Sequence, residues 1–363
     1  MKKTILHFIY NLGRGGAEMM LVKVIKELKD YNNIIVTLSP ENHFKDELEC
    51  DKYYCLNATS MVFFPKAVIG LKKIIKENNV DIVHSHLFWP TFIARIATPK
   101  KIPLITTIHA FIANSIEYRN LHMRMLDRIT YRLRKTFIIA VAKGALEEYF
   151  SVLKLKPYKA YSLYTFVDLR EFNPAFSVPS TLPGKNFKLI SVGALRSQKN
   201  HQYLLEAFKK LKNENIELDI YGAGGLDKKL QQIISENNLK VTLKGEVKNI
   251  SQIINQYDVF IMSSTFEGFS LSVLEAMAMQ MPVLLSDIKS FREQCKETAA
   301  YFALDNVDDL ISKIKMLSTN KNKLVEMGSL AKERVMENFT LPAHMQGLRN
   351  IYSEVLTANK IEI

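Results

Sequence analysis

Tyr257-Asp258-Val259-Phe260-Ile261-Met262-Ser263-Ser264-Thr265-Phe266-Glu267-Gly268-Phe269-Ser270-Leu271-Ser272-Val273-Leu274-Glu275-Ala276-Met277-Ala278 sets a short apolar run, a polar loop around one glycine and a helical pattern in immediate succession. Residues 259–262 are apolar without alternation, which suits a strand covered on both faces. The serines at 263 and 264 end that run, Glu267-Gly268-Phe269 form the loop, and the residues from 271 onward read as a helix. A buried strand followed at once by a helix is the repeating unit of a parallel α/β sheet.

The unit recurs on both sides of this stretch. Apolar runs at 188–192, 218–221, 241–243 and 283–285 are separated by helical patterns such as 202–212. An earlier series at 5–10, 34–38, 82–84, 104–108 and 137–141 alternates with helical patterns such as 17–28 and 68–77. Two such series predict two Rossmann-like parallel-sheet domains facing a central cleft, and a length of 363 residues agrees with two domains. Residues 172–184 hold three prolines and one glycine, which exclude a continuous helix or central strand. The expected plan is therefore a first domain over 1–167, a linker over 168–186 and a second domain over 187–340. Helical patterns at 306–317, 321–338 and 342–356 close the chain, and either domain could receive the terminal helix of 341–363.

A composition of 47% hydrophobic and 24% charged residues belongs to a globular protein, not to a disordered, collagenous or membrane-embedded one. Lys and Arg total 49 against 37 for Asp and Glu, and the surplus is uneven. Residues 1–165 hold 25 basic and 14 acidic side chains, whereas the remainder holds 24 and 23. A basic first half suits an anionic partner, such as a membrane surface, a phosphorylated acceptor or nucleic acid, and equally a solvated lysine-rich surface. Cys50, Cys55 and Cys295 have neither metal-ligand spacing nor an even-numbered disulfide framework, which fits a reducing cytoplasm. The first apolar run is too short and too polar for a secretory signal, and no run reaches the roughly 18 residues of a membrane span.

Several turns bear on chemistry. Gly13-Arg14-Gly15-Gly16-Ala17-Glu18 follows the first strand and opens a helix, where exposed amides and the helix dipole favour an anion, although a plain tight turn fits as well. Ser191-Val192-Gly193-Ala194-Leu195-Arg196-Ser197-Gln198-Lys199-Asn200 again leaves a strand and carries two cations three residues apart. A guanidinium fork and a mobile ammonium suit a diphosphate; two solvated cations are the plainer reading. Tyr221-Gly222-Ala223-Gly224-Gly225 fits close approach to a nucleoside or a simple turn. Glu267 and Glu275 lie eight residues apart, one in a loop and one in the following helix, and carboxylates above the strand ends accept hydrogen bonds from a polyol.

On these residues the chain resembles retaining glycosyltransferases of the GT-B fold, the glycosyl transferase group 1 family, also called family four. The resemblance spans nearly the whole chain. Its most specific part is Glu267-Gly268-Phe269-Ser270 followed by Glu275-Ala276, with the glycine turns in the family's order. It implies a nucleotide-sugar donor, with a lean toward uridine, bound mostly by the second domain and an acceptor recognised by the first. Arg196 and Lys199 would hold the diphosphate beside Gly193, with Gly15 and Gly16 approaching from across the cleft. Glu275 would take the ribose hydroxyls near Gly222 and Gly224; Glu267 and the backbone from Gly268 through Phe269, Ser270 and Leu271 would meet the sugar. His109, in Thr106-Thr107-Ile108-His109, matches a histidine that contacts sugar or phosphate in the family. His109, Glu267, Arg196 and Lys199 are thus the candidate catalytic residues. Thr165-Phe166-Val167-Asp168 departs from the family's Asn-Gly-Val-Asp.

The leaving diphosphate can be stabilised by cations and helix amides alone. No Asp-x-Asp pair follows a strand, since Asp308-Asp309 sits in a late acidic turn, so neither metal nor other cofactor is expected. Residues 114–135 interleave Arg119, Arg124, Arg128, Arg132, Arg134 and Lys135 with apolar side chains, the pattern of a basic helix lying on an anionic bilayer or meeting a lipid diphosphate. The same pattern describes a surface helix whose apolar side enters the core. Phe63-Phe64 and Phe88-Trp89-Pro90 could line an acceptor groove or fill the core. The expectation is a transferase acting on a glycan or lipid-linked acceptor in cell-surface polysaccharide synthesis, cytoplasmic and peripheral on the inner membrane face, with no nucleic-acid partner because no zinc-finger or RNA-binding signature occurs. A glycoside hydrolase, a sugar-nucleotide epimerase or phosphorylase of similar plan, and a non-catalytic nucleotide-sugar-binding protein remain open on the residues alone.

Overall fold

The computed structural model describes residues 2–113, 115–172, 186–247 and 250–361. The chain divides into two compact units, Met1–Thr165 with Pro342–Ile363, and Phe166–Leu341. The proline-rich part of the expected linker, residues 173–185, lies outside the described residues.

In the first unit the strands are β1 (Thr4–Ile9), β2 (Asn32–Thr37), β3 (Lys52–Cys55), β4 (Ile82–His86), β5 (Leu104–Ile108), β6 (Phe137–Ala140) and β7 (Lys159–Ser162). The helices are α1 (Gly16–Glu27), α2 (Phe64–Glu77), α3 (Phe88–Ala97), α4 (Ile116–Arg119), α5 (Leu121–Leu133) and α6 (Lys143–Leu153). The strands form one parallel sheet in the order β3-β2-β1-β4-β5-β6-β7. All six residues of β1, His7 among them, are buried, as a central strand covered on both faces requires. β3 and β7, at the two edges, have half-buried or exposed faces and mixed sequences, so neither shows as an apolar run. α2 begins before its apolar periodicity because Pro65 is tolerated in the first turn.

The second unit holds β8 (Phe187–Val192), β9 (Ile216–Tyr221), β10 (Val241–Gly245), β11 (Val259–Met262), β12 (Val283–Ser286) and β13 (Ala300–Phe302), in the parallel order β10-β9-β8-β11-β12-β13. Its helices are α7 (His201–Lys210), α8 (Asp227–Glu236), α9 (Leu271–Ala278), α10 (Lys289–Cys295), α11 (Val307–Thr319) and α12 (Lys321–Asn338). Asp308 and Asp309 occupy the first turn of α11, whose cap Asn306 accepts from both their amides, so the late acidic pair serves a helix start. The last helix, α13 (Leu341–Ile361), packs with the first unit: the Tyr352 hydroxyl meets His84 Nδ1 at 2.8 Å and Arg349 pairs with Asp30 at 3.1 Å. At Thr165-Phe166-Val167-Asp168, Val167 bridges to Thr340 and donates to the Phe339 carbonyl at 2.8 Å, laying the outgoing and returning chain side by side.

In each sheet the strand order reverses once, between β1 and β4 and between β8 and β11. Open α/β sheets bind ligands outside the carboxyl ends of their strands at this reversal.

Candidate functional site

In the second unit the two strands flanking the reversal deliver Lys199 and Glu267 to each other. Lys199 ends the 3₁₀ turn Ser197–Lys199 after β8, and Glu267 lies in the loop after β11. The two segments are stitched by Thr265 N donating to Gln198 O at 2.9 Å, Gln198 Nε2 to Phe266 O at 3.0 Å, and Ser263 Oγ to the carbonyls of Lys199 and Asn200 at 3.1 and 2.9 Å. Lys199 Nζ then donates to Glu267 Oε1 at 2.7 Å, and Ser264 Oγ donates to the same oxygen at 2.7 Å. Oε2 is left without a hydrogen-bond partner among the described residues and can accept from a hydroxyl. The pair is largely buried, with the side chains 17% and 9% exposed, so solvent screens it weakly. Arg196 is exposed and, among the described residues, has no ion-pair partner. One cation is therefore ion-paired and the other is open to solvent.

Gly193 packs beside the Lys199 stem, and a Cβ there would come within 3.1 Å of Lys199 Cε. Gly222 has φ +143, and a Cβ on it would lie 2.0 Å from the Gly193 carbonyl oxygen; one on Gly224 would lie 2.5 Å from the Leu195 carbonyl oxygen. These glycines let the turn after β9 press against the turn after β8, a packing reason independent of any ligand. Gly268 is buried, and Phe269 is buried edge-on against Phe339 at 5.1 Å. Ser270 caps α9 and is clamped by Gln294, whose Oε1 accepts from its amide at 3.0 Å and whose Nε2 donates to its carbonyl at 2.8 Å. Leu271 opens α9, and Glu275 lies half-buried one turn in. The loop that would offer its amides to a ligand is held rigid from behind.

The other candidates belong to the first unit. Gly15 caps α1 and Gly16 begins it. The Glu18 carboxylate folds back over Gly15, close enough that a Cβ there would meet Oε2 at 2.2 Å, so a side-chain anion already complements this helix end. His109 follows β5, the fifth strand rather than the fourth because edge strand β3 precedes it. Burial, with a smaller push from His344, lowers its pKa to about 4, so its ring is neutral at pH 7. His86 Nδ1 lies 3.1 Å from His109 Nε2. His109, Asn11 and Glu18 line a cavity of about 410 Å³ together with Phe88, Trp89 and Tyr118. Phe64 is buried against Trp89 at 5.0 Å, whereas Phe63 is half-exposed.

Residues 115–135 depart from a single helix with a buried apolar side. Asn120 caps a fresh helix by accepting from the His122 amide, and α5 runs from Leu121 to Leu133. Its buried side chains are Asp127, Thr130 and Tyr131, while Leu121, Met125, Ile129 and Leu133 are exposed. The inward face is polar because Asp127 pairs with Arg95, which is 1% exposed, and accepts from Tyr118 and Tyr149. Four apolar residues at four-residue spacing consequently form a solvent-facing stripe beside Arg132. Arg134 instead donates to the carbonyls of Pro99, Lys100 and Ile102 and anchors the helix end.

Residues 14–171 match the family described as Glycosyltransferase Family 4, and residues 173–334 match Glycosyl transferases group 1. The chain belongs to this glycosyltransferase family. A relative from Campylobacter jejuni, N-acetylgalactosamine-N,N'-diacetylbacillosaminyl-diphospho-undecaprenol 4-alpha-N-acetylgalactosaminyltransferase, is 27% identical over 86% of this chain and 88% of its own length. An Escherichia coli UDP-Gal:alpha-D-GlcNAc-diphosphoundecaprenol alpha-1,3-galactosyltransferase is 26% identical over 82% and 81%. Among solved structures, Anabaena HepE in complex with UDP and glucose superposes with a TM-score of 0.83 at 17% identity, covering 97% of this chain and all of that one. A glycosyltransferase from Rickettsia africae gives 0.80 at 22% identity over 98% and 99%. The fold is that of GT-B glycosyltransferases.

For this glycosyltransferase, reasoning from sequence missed Ser264, Gln198 and His86 as partners of the candidate residues. Ser264 was visible as a polar strand end, but its bond to Glu267 depends on loop curvature that spacing does not encode. Among the described residues, no helix is long and apolar enough to cross a membrane.

Proposed function

We propose that the protein is a retaining, metal-independent glycosyltransferase that moves a sugar from a uridine diphosphate sugar to a lipid-linked glycan at a membrane surface. The observation that carries this reading is the buried Lys199–Glu267 pair with exposed Arg196 beside it, placed at the strand-order reversal of the second sheet. Departure of the nucleoside diphosphate builds negative charge on its terminal phosphate. Lys199, held by Glu267, and the exposed Arg196 stabilise that charge without a cation from solution. Glu267 accepts a sugar hydroxyl through Oε2, and Glu275 takes the ribose. The acceptor attacks on the face from which the diphosphate leaves, which retains the anomeric configuration. His109, Gly15 and Gly16 lie on the first unit, and their part in transfer is proposed from family resemblance alone.

Uridine and the lipid-linked acceptor are supported by the relatives, whose names specify UDP-galactose or undecaprenol diphosphates. With the purified protein in excess EDTA, UDP is expected to raise the melting temperature by mass action, and UDP release from a UDP-sugar is expected only when an undecaprenyl-diphosphate glycan is added. Donor conversion without acceptor would replace this reading with an epimerase. A donor that binds and stays intact with every acceptor would replace it with a sensor, and stabilisation only with added divalent metal would remove metal independence.

The α5 stripe supports peripheral contact with an anionic bilayer, its apolar side chains entering the acyl boundary and its arginines meeting headgroups. Burying one leucine contributes about 1.5–3 kcal/mol. Leu121→Ser with Leu133→Ser is therefore expected to lower co-flotation with phosphatidylglycerol vesicles at least about tenfold, while UDP binding is unchanged. Undiminished flotation would assign the stripe another partner.

A further inference from the structure

A second constellation lies within the first sheet, with His109 at its border. His7 on β1 stands opposite His84 on β4 in the strand register, and His86, two residues on, falls on the same face. All three are buried, and one ring nitrogen from each lies within 4.8 Å of the others. They line a cavity of about 20 Å³, covered by Met20 and Leu21 of α1 and by Leu348 and Tyr352 of α13. That volume admits one water-sized occupant.

The nitrogens are unequally satisfied. His84 Nδ1 meets the Tyr352 hydroxyl at 2.8 Å, and Nε2 meets Thr107 Oγ1 at 2.7 Å. His86 uses Nδ1 on His109, but its Nε2 and both nitrogens of His7 have no hydrogen-bond partner of ordinary geometry. Buried polar atoms are rarely left unpaired, and three unpaired nitrogens on two neighbouring rings ask for a partner.

We propose that His7, His84 and His86 hold one divalent cation of the borderline class, zinc foremost, as a structural site inside the first unit. Three neutral imidazoles select zinc over calcium or magnesium, which require oxygen ligands. His86 Nε2 and one nitrogen of His7 bind directly. His84 supplies the third by releasing either Tyr352 or Thr107 and keeping the other, the kind of outer partner that orients a metal-bound ring. The hydroxyl that His84 releases, that of Tyr352 or Thr107, completes a four-coordinate shell, so the ion is the single occupant of the cavity. The proposal is independent of the donor reading, because none of its ligands is assigned to the diphosphate or the sugar.

The test uses the full chain, stripped with EDTA, dialysed and titrated with Zn²⁺ alone. One equivalent per chain is expected to bind and to raise the melting temperature by about 5 °C, with no response to Mg²⁺ or Ca²⁺. Co²⁺ is expected to give the intense visible absorption of a four-coordinate ion. His7→Gln should abolish both, whereas replacing the exposed His43 and His122 by alanine should leave both intact. Should His7→Gln fail to fold, the wild-type Co²⁺ spectrum decides. A weak octahedral spectrum, less than one tightly held equivalent, or binding that follows His43 and His122 overturns the site and leaves only a water in the cavity.

Discussion

Transfer by the Arg196→Ala/Lys199→Ala double variant is expected to fall about 10²–10³-fold or more, while the fold persists. Removing one preorganised donor from developing charge typically costs 10²–10³ in rate, and here both proposed cations go. Arg196 is exposed, so its loss leaves nothing buried unpaired. Lys199 is different, because Glu267 keeps only Ser264 once the ammonium is gone. A modest fall in melting temperature, on the order of a few degrees, should therefore come from Lys199→Ala and not from Arg196→Ala. Initial rates of UDP release, set beside thermal denaturation of each single variant, separate the two effects. Wild-type turnover in the double variant would remove the diphosphate site from the second unit.

Asp127→Ala should be the most damaging single substitution for stability in the first unit. Asp127 neutralises Arg95 and accepts from Tyr118 and Tyr149, all in a buried setting. Truncation leaves a buried guanidinium without its carboxylate, at a cost of about 3–5 kcal/mol. For a unit of this size the melting temperature should drop by about 10 °C. Replacing both partners at once, Arg95→Leu with Asp127→Leu, should recover much of that loss, since no lone charge then stays inside. A change below about 1 kcal/mol for Asp127→Ala would mean that water reaches Arg95.

The sheets were legible because central strands of a parallel sheet are buried on both faces and betray themselves as largely apolar runs: β11 is apolar throughout, and β1 and β5 are apolar but for Thr4 and His7 and for Thr106 and Thr107. Lys52–Cys55 and Lys159–Ser162 were not, since an edge strand needs no such run. The meeting of Lys199 with Glu267 could be anticipated from two turns that follow strands, although their adjacency depends on β8 pairing with β11. α5 defeated pattern reading in an instructive way. Periodicity reports that a helix has an apolar side, but the direction of that side was set by Asp127, whose partner Arg95 lies 32 residues earlier in the chain. The histidine cavity left a signal that was overlooked: His84-Ser85-His86 in a strand places two imidazoles on one face.

The return of α13 to the first unit also dictates an order of manufacture. A ribosome releases residues 1–165 early, then spends about 10–30 s on the intervening 166–341 before the closing helix emerges. Throughout that interval the nascent first sheet has no Tyr352 or Leu348 over its histidines, and its apolar face waits uncovered. The second unit, contiguous in the chain, can finish folding first. The half of the molecule synthesised earliest is thus the last to be completed, and it is the half that a nascent-chain chaperone would need to shield.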